Sequence, residues 1–278
     1  TRRRSRAAEP GAVLLDVRDA NACLGALSIM RPGVVFHLAA DPNTRHSDAD
    51  PDGRAMYGTN VEGTFNLLSA LSALNHPCLF VLASSAAVYG DQGASLSCRE
   101  GRLPRPTSVN AASKLASEAL LSAHALQGRG AGVVVRPCAL VGAPASHGLL
   151  PDLVRKLKSG LPSLHLLGDD PGSVKPFLHA DDAAAAFVRL GALPYNLGEF
   201  RVFNAANDEA LSVREVADLV QRVVGTKLPL SWSGPEGVWP RDNRRVDVDS
   251  ALLRRWGWEP GPGGSVAAVT RAVKEMLP

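Results

Sequence analysis

The sequence has no run of 18 or more apolar residues, so it predicts no membrane-spanning helix. It also has no apolar segment after its basic start, where a secretory signal peptide would carry one. We therefore expect a cytoplasmic protein with no membrane partner. The hydrophobic content of 45% and the charged content of 21%, over 278 residues, are typical of a globular chain that can bury a sizeable core.

Cysteine is scarce, and the four cysteines are widely and irregularly spaced. Neither they nor the seven histidines show the spacing of metal ligands, so no metal site is predicted. Three of the cysteines stand beside apolar residues, which is typical of small buried side chains in a reducing compartment. The cysteines are Cys23, Cys78, Cys98 and Cys138.

Positive charge is not concentrated on any long stretch of the chain. The formal net charge is +3, and the basic residues are mostly dispersed arginines. The one cluster is "TRRRSR" at the start, and a cluster of this length is typical of a solvated tail or a linker. We therefore predict no nucleic-acid partner.

Short apolar runs alternate with longer amphipathic segments through the first half of the chain. The runs have the character of strands buried on both faces, and the segments between them have helical period. Alternation of this kind predicts an α/β fold with a parallel sheet and helices on both sides. The predicted strands are 12–17, 33–40, 78–85 and 132–137, and the predicted helices include 20–30, 60–74 and 110–126.

Ligands of such sheets collect at the carboxyl ends of the strands. Here four strand ends in succession carry small or hydrogen-bonding residues, which suits the close approach of a flat ligand. The alternative is that these positions are tight turns and nothing more. The residues are Asp16, Ala39, Ala40, Ser84, Ser85, Arg136 and Pro137.

The pattern loosens after residue 143, which places a domain boundary there and a smaller C-terminal region over 144–278. Ser212 and Glu215 have the spacing of a capping box at the start of a helix. The acidic pair Asp181 and Asp182 suits another helix N-terminus. Residues 234–264, which are rich in Gly, Pro, Trp and Arg, predict a loop followed by a short helix.

The predicted helix 110–126 carries Asn110 and Lys114, which lie four residues apart and therefore on one face. The amide and the ammonium can thus point into the same cleft, which makes the pair a candidate for chemistry.

Six stretches of the sequence resemble, in order and spacing, the extended short-chain dehydrogenases/reductases. Within that superfamily the chain most resembles the NAD-dependent epimerase/dehydratase family, and in particular its UDP-glucose 4-epimerase-like members. The resemblance implies a Rossmann-type doubly wound sheet over 1–143 and an α/β substrate-binding region over 144–278. The stretches are "VVFHLAA", "NVEGTFNLLSAL", "FVLASSAAVYGD", "SVNAASKLASE", "FLHADDAAAAF" and "LRRWGWEP".

The family transiently oxidises a sugar carbon with NAD while a Tyr phenolate takes the hydroxyl proton. A Lys four residues after the Tyr lowers the pKa of that phenol, which would otherwise be near 10, and a Ser or Thr bonds the same oxygen. By position, Ser85 is the family's Ser/Thr, Lys114 is its Lys, and the Tyr position is Asn110.

The resemblance also implies ligand contacts elsewhere in the chain. The implied cofactor-binding residues are Asp16, which would contact adenine, Val17, Ala39, Ala40, Asn60, Ser84, Lys114 and Pro137. The implied substrate-binding residues are Ser85, Lys175, Arg241 and Arg244, of which the two arginines can grip phosphate oxygens. For that Arg-rich loop, a solvated surface is the alternative.

Two departures from the family pattern bear on activity. An amide such as Asn110 can donate a hydrogen bond but cannot act as a general acid or base near neutral pH. The family's glycine-rich GxxGxxG turn, which holds the cofactor diphosphate, does not precede residue 12, so an N-terminal βαβ unit is expected to be missing. A truncated sequence and a natural variant without that unit are the two explanations.

Positions 86 and 87 are Ala, where the family's 4,6-dehydratases carry Asp and Glu, so dehydration is disfavoured. The resemblance therefore implies a UDP-glucose 4-epimerase type of protein that binds NAD and a UDP-linked sugar, with impaired or water-assisted chemistry. The alternatives are an inactive sugar-nucleotide- or partner-binding protein and a relative of ketone or sterol reductases. NAD and NADP both stay open. A homodimer through helices 60–75 and 110–126 is also expected from the resemblance.

Overall fold

The computed structural model describes residues 11–41, 53–91, 97–234 and 245–277. It has the α/β fold predicted from the sequence, a parallel sheet with flanking helices. The helices are α1 (Ala20–Met30), α2 (Arg54–Tyr57), a π-helix (Gly58–Glu62), α3 (Gly63–Ala73), a 3-10 helix (Ala86–Tyr89), α4 (Val109–Leu126), α5 (Leu149–Lys158), α6 (Ala180–Gly191), α7 (Val213–Val224), α8 (Ala251–Arg255) and α9 (Gly264–Met276). The strands are β1 (Val34–His37), β2 (Leu79–Ala83), β3 (Ala131–Pro137), β4 (Ala139–Val141), β5 (Leu164–Leu166), β6 (Val174–His179), β7 (Phe200–Ala205), β8 (Ala210–Ser212) and β9 (Leu230–Trp232).

The main sheet has four strands in the order β1-β2-β3-β7. Strands β1 and β2 are parallel, with Val34 opposite Leu79 and His37 opposite Leu82. Every residue of β3 is buried, as are the first four of β2. The strands predicted at 33–40, 78–85 and 132–137 are therefore confirmed, because short β-branched runs buried on both faces specify parallel strands well.

The strand predicted at 12–17 is wrong, because this segment has no regular secondary structure. Leu14 is fully exposed and Val13 is 62% exposed. The segment is anchored instead at Val17, whose carbonyl accepts a 3.0 Å hydrogen bond from Asn66 Nδ2. Gly63 provides room for this contact, since a Cβ there would lie 2.6 Å from Val17 Cγ2. An apolar run forms a strand only where another strand pairs with it, and none does so within the described ranges.

The helix predicted at 20–30 is confirmed as α1. Its N-cap is Asp19, whose carboxylate accepts a 3.0 Å bond from Ala22 N. The helix predicted at 60–74 is found as the π-helix followed by α3. Across the described ranges, no helix is both long and apolar enough to cross a membrane.

The chain divides into two compact units that are discontinuous in sequence. Unit 1 comprises 1–83, 112–134 and 194–201, and unit 2 comprises 84–111, 135–193 and 202–278. The domain boundary expected at residue 143 stays a prediction. Unit 1 holds β1, β2, α1, α3 and most of α4, together with the first residues of β3.

Unit 2 has its own apolar core, formed by α5, α7 and α9 against short strands. Strand β6 pairs in parallel with β4 and antiparallel with β8, and β5 pairs in parallel with β9. Helix α7 begins with the predicted capping box, in which Ser212 Oγ accepts from Glu215 N and the Glu215 carboxylate accepts from Ser212 N. The capping spacing in the sequence therefore located this helix correctly.

Candidate functional site

The π-helix of unit 1 presents Asn60 at the centre of a buried hydrogen-bond cluster. A π-helical turn shifts the backbone bonding pattern, so its carbonyl groups need other partners. The Asn60 carbonyl accepts from Thr64 Oγ1 at 2.6 Å and from Ser117 Oγ at 2.8 Å. Its side-chain Oδ1 accepts from Asp41 N at 2.9 Å, and its Nδ2 donates to Ser113 Oγ at 2.8 Å. Asn60 thereby ties the π-helix and α4 to the segment that follows β1.

Lys114 lies in α4, two residues beyond the start of the part that belongs to unit 1, and beside the carboxyl end of β2. Its Nζ donates a 2.8 Å hydrogen bond to the carbonyl of Ala83, the last residue of β2. Burial lowers the pKa of Lys114 to about 8. Burial, aided by the charge of Lys114, also lowers the pKa of His37 to about 4, so this histidine is neutral at pH 7. Lys114 is therefore a desolvated amine with a neutral acceptor and a neutral neighbour.

Two alanines that follow β1 are accessible to solvent. Ala39 is exposed and Ala40 is partly exposed. The Asp41 amide, which directly follows them, is fixed by Asn60. The structure thus brings the alanines next to Asn60 in unit 1, and their contact with a cofactor stays a prediction.

Asp16 lies on the surface of unit 1 with its carboxylate already engaged. It accepts hydrogen bonds from Arg18 N and Nε at 3.0 Å each and from Nη2 at 2.7 Å. These bonds lower the pKa of Asp16 to about 2. The neighbouring Val17 is half-buried and packs against α3, as described above. An exposed carboxylate held by one guanidinium still has free lone pairs, so it can accept from a ligand.

In unit 2, the two serines that follow β2 have different environments. Ser84 is buried, and its backbone N–H donates to the carbonyl of Val135 at 2.8 Å. Ser85 is partly exposed and is the N-cap of the 3-10 helix, with its Oγ accepting from Ala87 N at 3.1 Å. Because the hydroxyl accepts this bond, its proton can be donated to a ligand. Pro137, another predicted residue, ends β3 and is buried.

Asn110 is the second residue of α4 and is partly exposed. The helix start is fixed by Ser108, whose Oγ accepts from Ala111 N at 3.2 Å. Just upstream, Arg105 N donates to the carbonyl of Val88 at 2.9 Å, which places this segment beside the 3-10 helix that Ser85 caps. The chain just upstream of Asn110 therefore lies beside the serine segment within unit 2, and the role of Asn110 stays a prediction.

The remaining predicted positions lie farther along the chain. Lys175 is partly exposed in β6, opposite Leu211 of β8. Arg241 and Arg244 fall outside the described residues, as does the basic cluster at the start of the chain. In the ranges that the structure covers, no group of three or more His, Cys, Asp or Glu side chains could hold a metal ion.

The sequence analysis missed a second buried polar cluster, built in unit 2 around Tyr89. The Tyr89 hydroxyl donates to Asn204 Oδ1 at 2.8 Å and accepts from Arg136 Nη1 at 2.9 Å. Asn204 Nδ2 donates to the carbonyls of Cys98 and Asp249 at 2.8 and 3.0 Å. An arginine inside the apolar run "GVVVRP" was the available signal, since a buried cation needs polar partners.

Tyr89 cannot replace the family's catalytic tyrosine. Its side chain is fully buried, and both functions of its hydroxyl are in use within unit 2. Burial also raises the pKa of Tyr89, which makes the phenol a still weaker acid at neutral pH. Its role is structural.

Comparison with known proteins gives a consistent result. The model of the NAD dependent epimerase/dehydratase family matches residues 1–206. GDP-6-deoxy-D-mannose reductase from Pseudomonas aeruginosa is 29% identical over 244 residues, which are 85% of this chain and 78% of that protein. UDP-glucose 4-epimerase from Streptomyces lividans is 30% identical over 242 residues, covering 81% of this chain and 70% of that protein.

Solved structures agree with these relatives. UDP-glucose 4-epimerase from Thermus thermophilus in complex with NAD superposes with a TM-score of 0.82 at 26% identity, covering 94% of this chain and 83% of that one. RMD from Pseudomonas aeruginosa complexed with NADPH superposes with a TM-score of 0.79 at 27% identity, covering 97% and 90%. The Rossmann-type fold and the family resemblance predicted from the sequence motifs are both confirmed.

Proposed function

This chain belongs to the NAD dependent epimerase/dehydratase family, and from that premise we propose that it binds a nicotinamide dinucleotide together with a UDP-linked sugar. The proposed reaction is of the UDP-glucose 4-epimerase type, at the sugar C4. The observation that carries the proposal is the position of Lys114, whose Nζ contacts the carbonyl of the residue directly before Ser84 and Ser85. A cation is thereby held at the carboxyl end of β2, where the family binds its reacting groups.

The residues present fit part of the dinucleotide. Lys114 offers a donor for the nicotinamide ribose, and Asp16 offers an acceptor for the adenine end. Ala39, which follows β1, is exposed. Within the described ranges, the cofactor diphosphate has fewer candidate binding groups. Asp19 is the N-cap of α1, and its carboxylate occupies the helix N-terminus that would otherwise attract an anion.

The chain's own residues can supply hydrogen bonds but little acid–base chemistry. When bound, NAD or NADP supplies a hydride acceptor and returns the hydride. Ser85 can donate its hydroxyl proton in a hydrogen bond to a sugar oxygen, and Asn110 can donate from its amide or orient a water molecule. Since an amide cannot take up the hydroxyl proton, we expect turnover to be reduced by about 10²–10⁴-fold relative to a tyrosine at this position.

The experiment is to incubate the protein with UDP-glucose and either NAD or NADP and to measure the epimer by chromatography. We expect slow turnover in wild type and a gain of about 100-fold or more in Asn110→Tyr. Asn110→Phe is the matched control, because it supplies the ring without the hydroxyl and should give no gain. An absence of epimer at high protein concentration in both wild type and Asn110→Tyr would contradict the proposed reaction.

The same residue favours a second candidate function, which is a binding protein without turnover. Loss of the acid–base group at Asn110 removes chemistry but leaves the hydrogen-bonding groups of the scaffold in place. Isothermal titration with UDP-glucose distinguishes the two functions. Measurable binding without turnover in any variant would favour the binding protein, and turnover in wild type would exclude it.

We also propose that the protein is a homodimer through α3 and α4. Support comes from the surface of unit 1, where α4 presents a stripe of exposed or partly exposed alanines and α3 presents Phe65, which is 55% exposed. Small residues at helical spacing allow close helix packing. The stripe is Ala112, Ala116, Ala119 and Ala123. Light scattering should give the mass of two chains in wild type and of one chain in Ala119→Glu; a single-chain mass in wild type would contradict the dimer.

A further inference from the structure

The 3-10 helix of unit 2 has Ser85 at one end and Tyr89 at the other. At its start, Ser85 Oγ accepts from Ala87 N at 3.1 Å, and the Ser85 carbonyl accepts from Val88 N at 3.2 Å. One turn of helix therefore separates the serine hydroxyl from the tyrosine side chain. Because hydrogen bonds close this turn, we expect a shift of Tyr89 to shift Ser85 as well.

The Tyr89 hydroxyl is fixed in direction as well as in position. A guanidinium can only donate, so the tyrosine oxygen accepts the 2.9 Å bond from Arg136. The Nδ2 group of Asn204 is used by the carbonyls of Cys98 and Asp249, so its Oδ1 accepts the 2.8 Å bond from the tyrosine O–H. The bonds therefore run in one direction, from Arg136 through Tyr89 to Asn204. All three side chains are buried, which strengthens these bonds.

The same turn is tied to the segment that leads into α4. Arg105 N donates to the Val88 carbonyl at 2.9 Å. Gly90, with a φ of 70°, lies against the Arg105 carbonyl so closely that a Cβ would overlap that oxygen. This approach requires glycine. The 3-10 helix is thus held at its end by Tyr89 and along its side by the segment around Arg105.

We propose that Tyr89 is a positioning residue for the proposed epimerase reaction and that it acts through Ser85. The inference rests on the proposed function, in which the Ser85 hydroxyl donates to a sugar oxygen. Tyr89 is fully buried, so its hydroxyl does not itself reach a ligand. Its hydrogen bonds hold the 3-10 helix, and the helix holds the Ser85 hydroxyl in the direction set by its bond with Ala87 N. A misplaced serine hydroxyl loses stabilisation of the transition state, so kcat falls more than KM rises.

The first measurement needs no ligand and follows amide hydrogen exchange by NMR. Tyr89→Phe keeps the ring beside Arg136 but removes the hydroxyl. We expect the amide hydrogens of Ala87 and Val88 to exchange about tenfold faster, relative to the amides of α7, which report the opening of unit 2 as a whole. Tyr57→Phe, at an exposed tyrosine of α2, is the matched control and should leave this ratio unchanged. An unchanged ratio in Tyr89→Phe would overturn the proposal.

The second measurement is the conversion of UDP-glucose with NAD or NADP in the Asn110→Tyr background, where the proposed reaction is expected to be fastest. Tyr89→Phe should lower kcat about tenfold and leave KM for UDP-glucose within about twofold. In a protein that also carries Ser85→Ala, the same substitution should cause no further loss, because the group that it positions is gone. An equal loss with and without Ser85 would overturn the proposal, since Tyr89 would then act on stability alone.

The two measurements separate this proposal from the proposed function. If no variant turns over and the amides of Ala87 and Val88 still exchange faster in Tyr89→Phe, the epimerase reaction fails and the control of Ser85 by Tyr89 stands. If the Asn110→Tyr protein turns over and Tyr89→Phe leaves its kcat unchanged, the reaction stands and the positioning role fails.

Discussion

The buried polar clusters around Tyr89 and around Asn60 differ in how their neighbouring cations are bonded. In unit 2, Arg136 bonds to the Tyr89 hydroxyl and also lies over its ring, 4.9 Å from the centroid. In unit 1, Lys114 adjoins a well-bonded cluster around Asn60 but donates to a single carbonyl. An arginine stays charged when it is buried, whereas a lysine shifts toward its neutral form. The comparison teaches that the cation of the first cluster is held by several groups of the fold, whereas the lysine beside the second cluster is desolvated and donates to a neutral carbonyl.

The largest expected effect comes from breaking the cluster of unit 2 at Asn204. Its side chain is fully buried and makes three hydrogen bonds, to Tyr89, Cys98 and Asp249. Asn204→Ala removes all three and leaves buried polar groups with fewer partners. We expect the free energy of unfolding, measured by urea denaturation, to fall by about 3 kcal/mol.

Asn196→Ala is the control for this experiment. Asn196 bonds to Glu199 at the surface, so its removal should change the free energy of unfolding by less than about 0.5 kcal/mol. If Asn204→Ala also lowered the free energy of unfolding by less than about 0.5 kcal/mol, the cluster around Tyr89 would not stabilise the fold. It would then not differ from the Asn60 cluster in the way described above.

A substitution at Lys114 is expected to change the free energy of unfolding by an intermediate amount. At neutral pH this change should be an increase, whereas Asn204→Ala causes a decrease. The pKa of Lys114 in the folded chain is about 8, below its unfolded value of 10.5. Both states are protonated below pH 8, where the buried charge costs stability, and this cost disappears as the pH rises from about 8 to 10.5. Lys114→Met removes the charge but leaves the Ala83 carbonyl without its donor. We expect a net gain of about 2 kcal/mol at pH 7.

The pH dependence is the stronger part of this prediction. The advantage of Lys114→Met over wild type should shrink as the pH rises through 8 toward 10, when wild type no longer carries the buried charge. Lys158→Met is the control, because Lys158 is exposed on α5 and should show no such trend. Equal stability of Lys114→Met and wild type at every pH would mean that the ammonium is fully solvated.

Much of the fold could be predicted from local sequence. The strands β2 and β3 are short runs of β-branched and apolar residues, and α1 has a clear N-cap and helical period. The failure at 12–17 shows the limit of such patterns. An apolar run has the same local appearance whether or not another strand pairs with it, and pairing is a property of the tertiary structure.

The candidate site was predicted less completely. Residue types at strand ends pointed to Ala39 and Ser85, and family spacing pointed to Lys114. The sequence could not reveal the π-helix at Asn60, because a shift in backbone bonding depends on side-chain partners from α4. Nor could it reveal the low pKa of Lys114, which is caused by burial in the folded chain.

The smallest expected effect tests how firmly α4 is tied to the π-helix of unit 1. The Ser117 hydroxyl donates to the carbonyls of Asn60 and Ser113, at 2.8 and 2.9 Å. Ser117→Ala leaves the Asn60 carbonyl with Thr64 as a partner. The free energy of unfolding, measured by urea denaturation, should therefore fall by only about 1 kcal/mol.

Ser122→Ala on the same helix is the matched control, and the gain in helix propensity should make it neutral or slightly stabilising. If Ser117→Ala also left the free energy of unfolding unchanged, the hydrogen bond from Ser117 to the Asn60 carbonyl would add no stability. The bond from Thr64 would then be sufficient for that carbonyl. A loss well above 1 kcal/mol would instead show that the Asn60 cluster is as cooperative as the cluster around Asn204. The two clusters would then be equally cooperative. The remaining difference between them would be the bonding of their cations, Arg136 and Lys114.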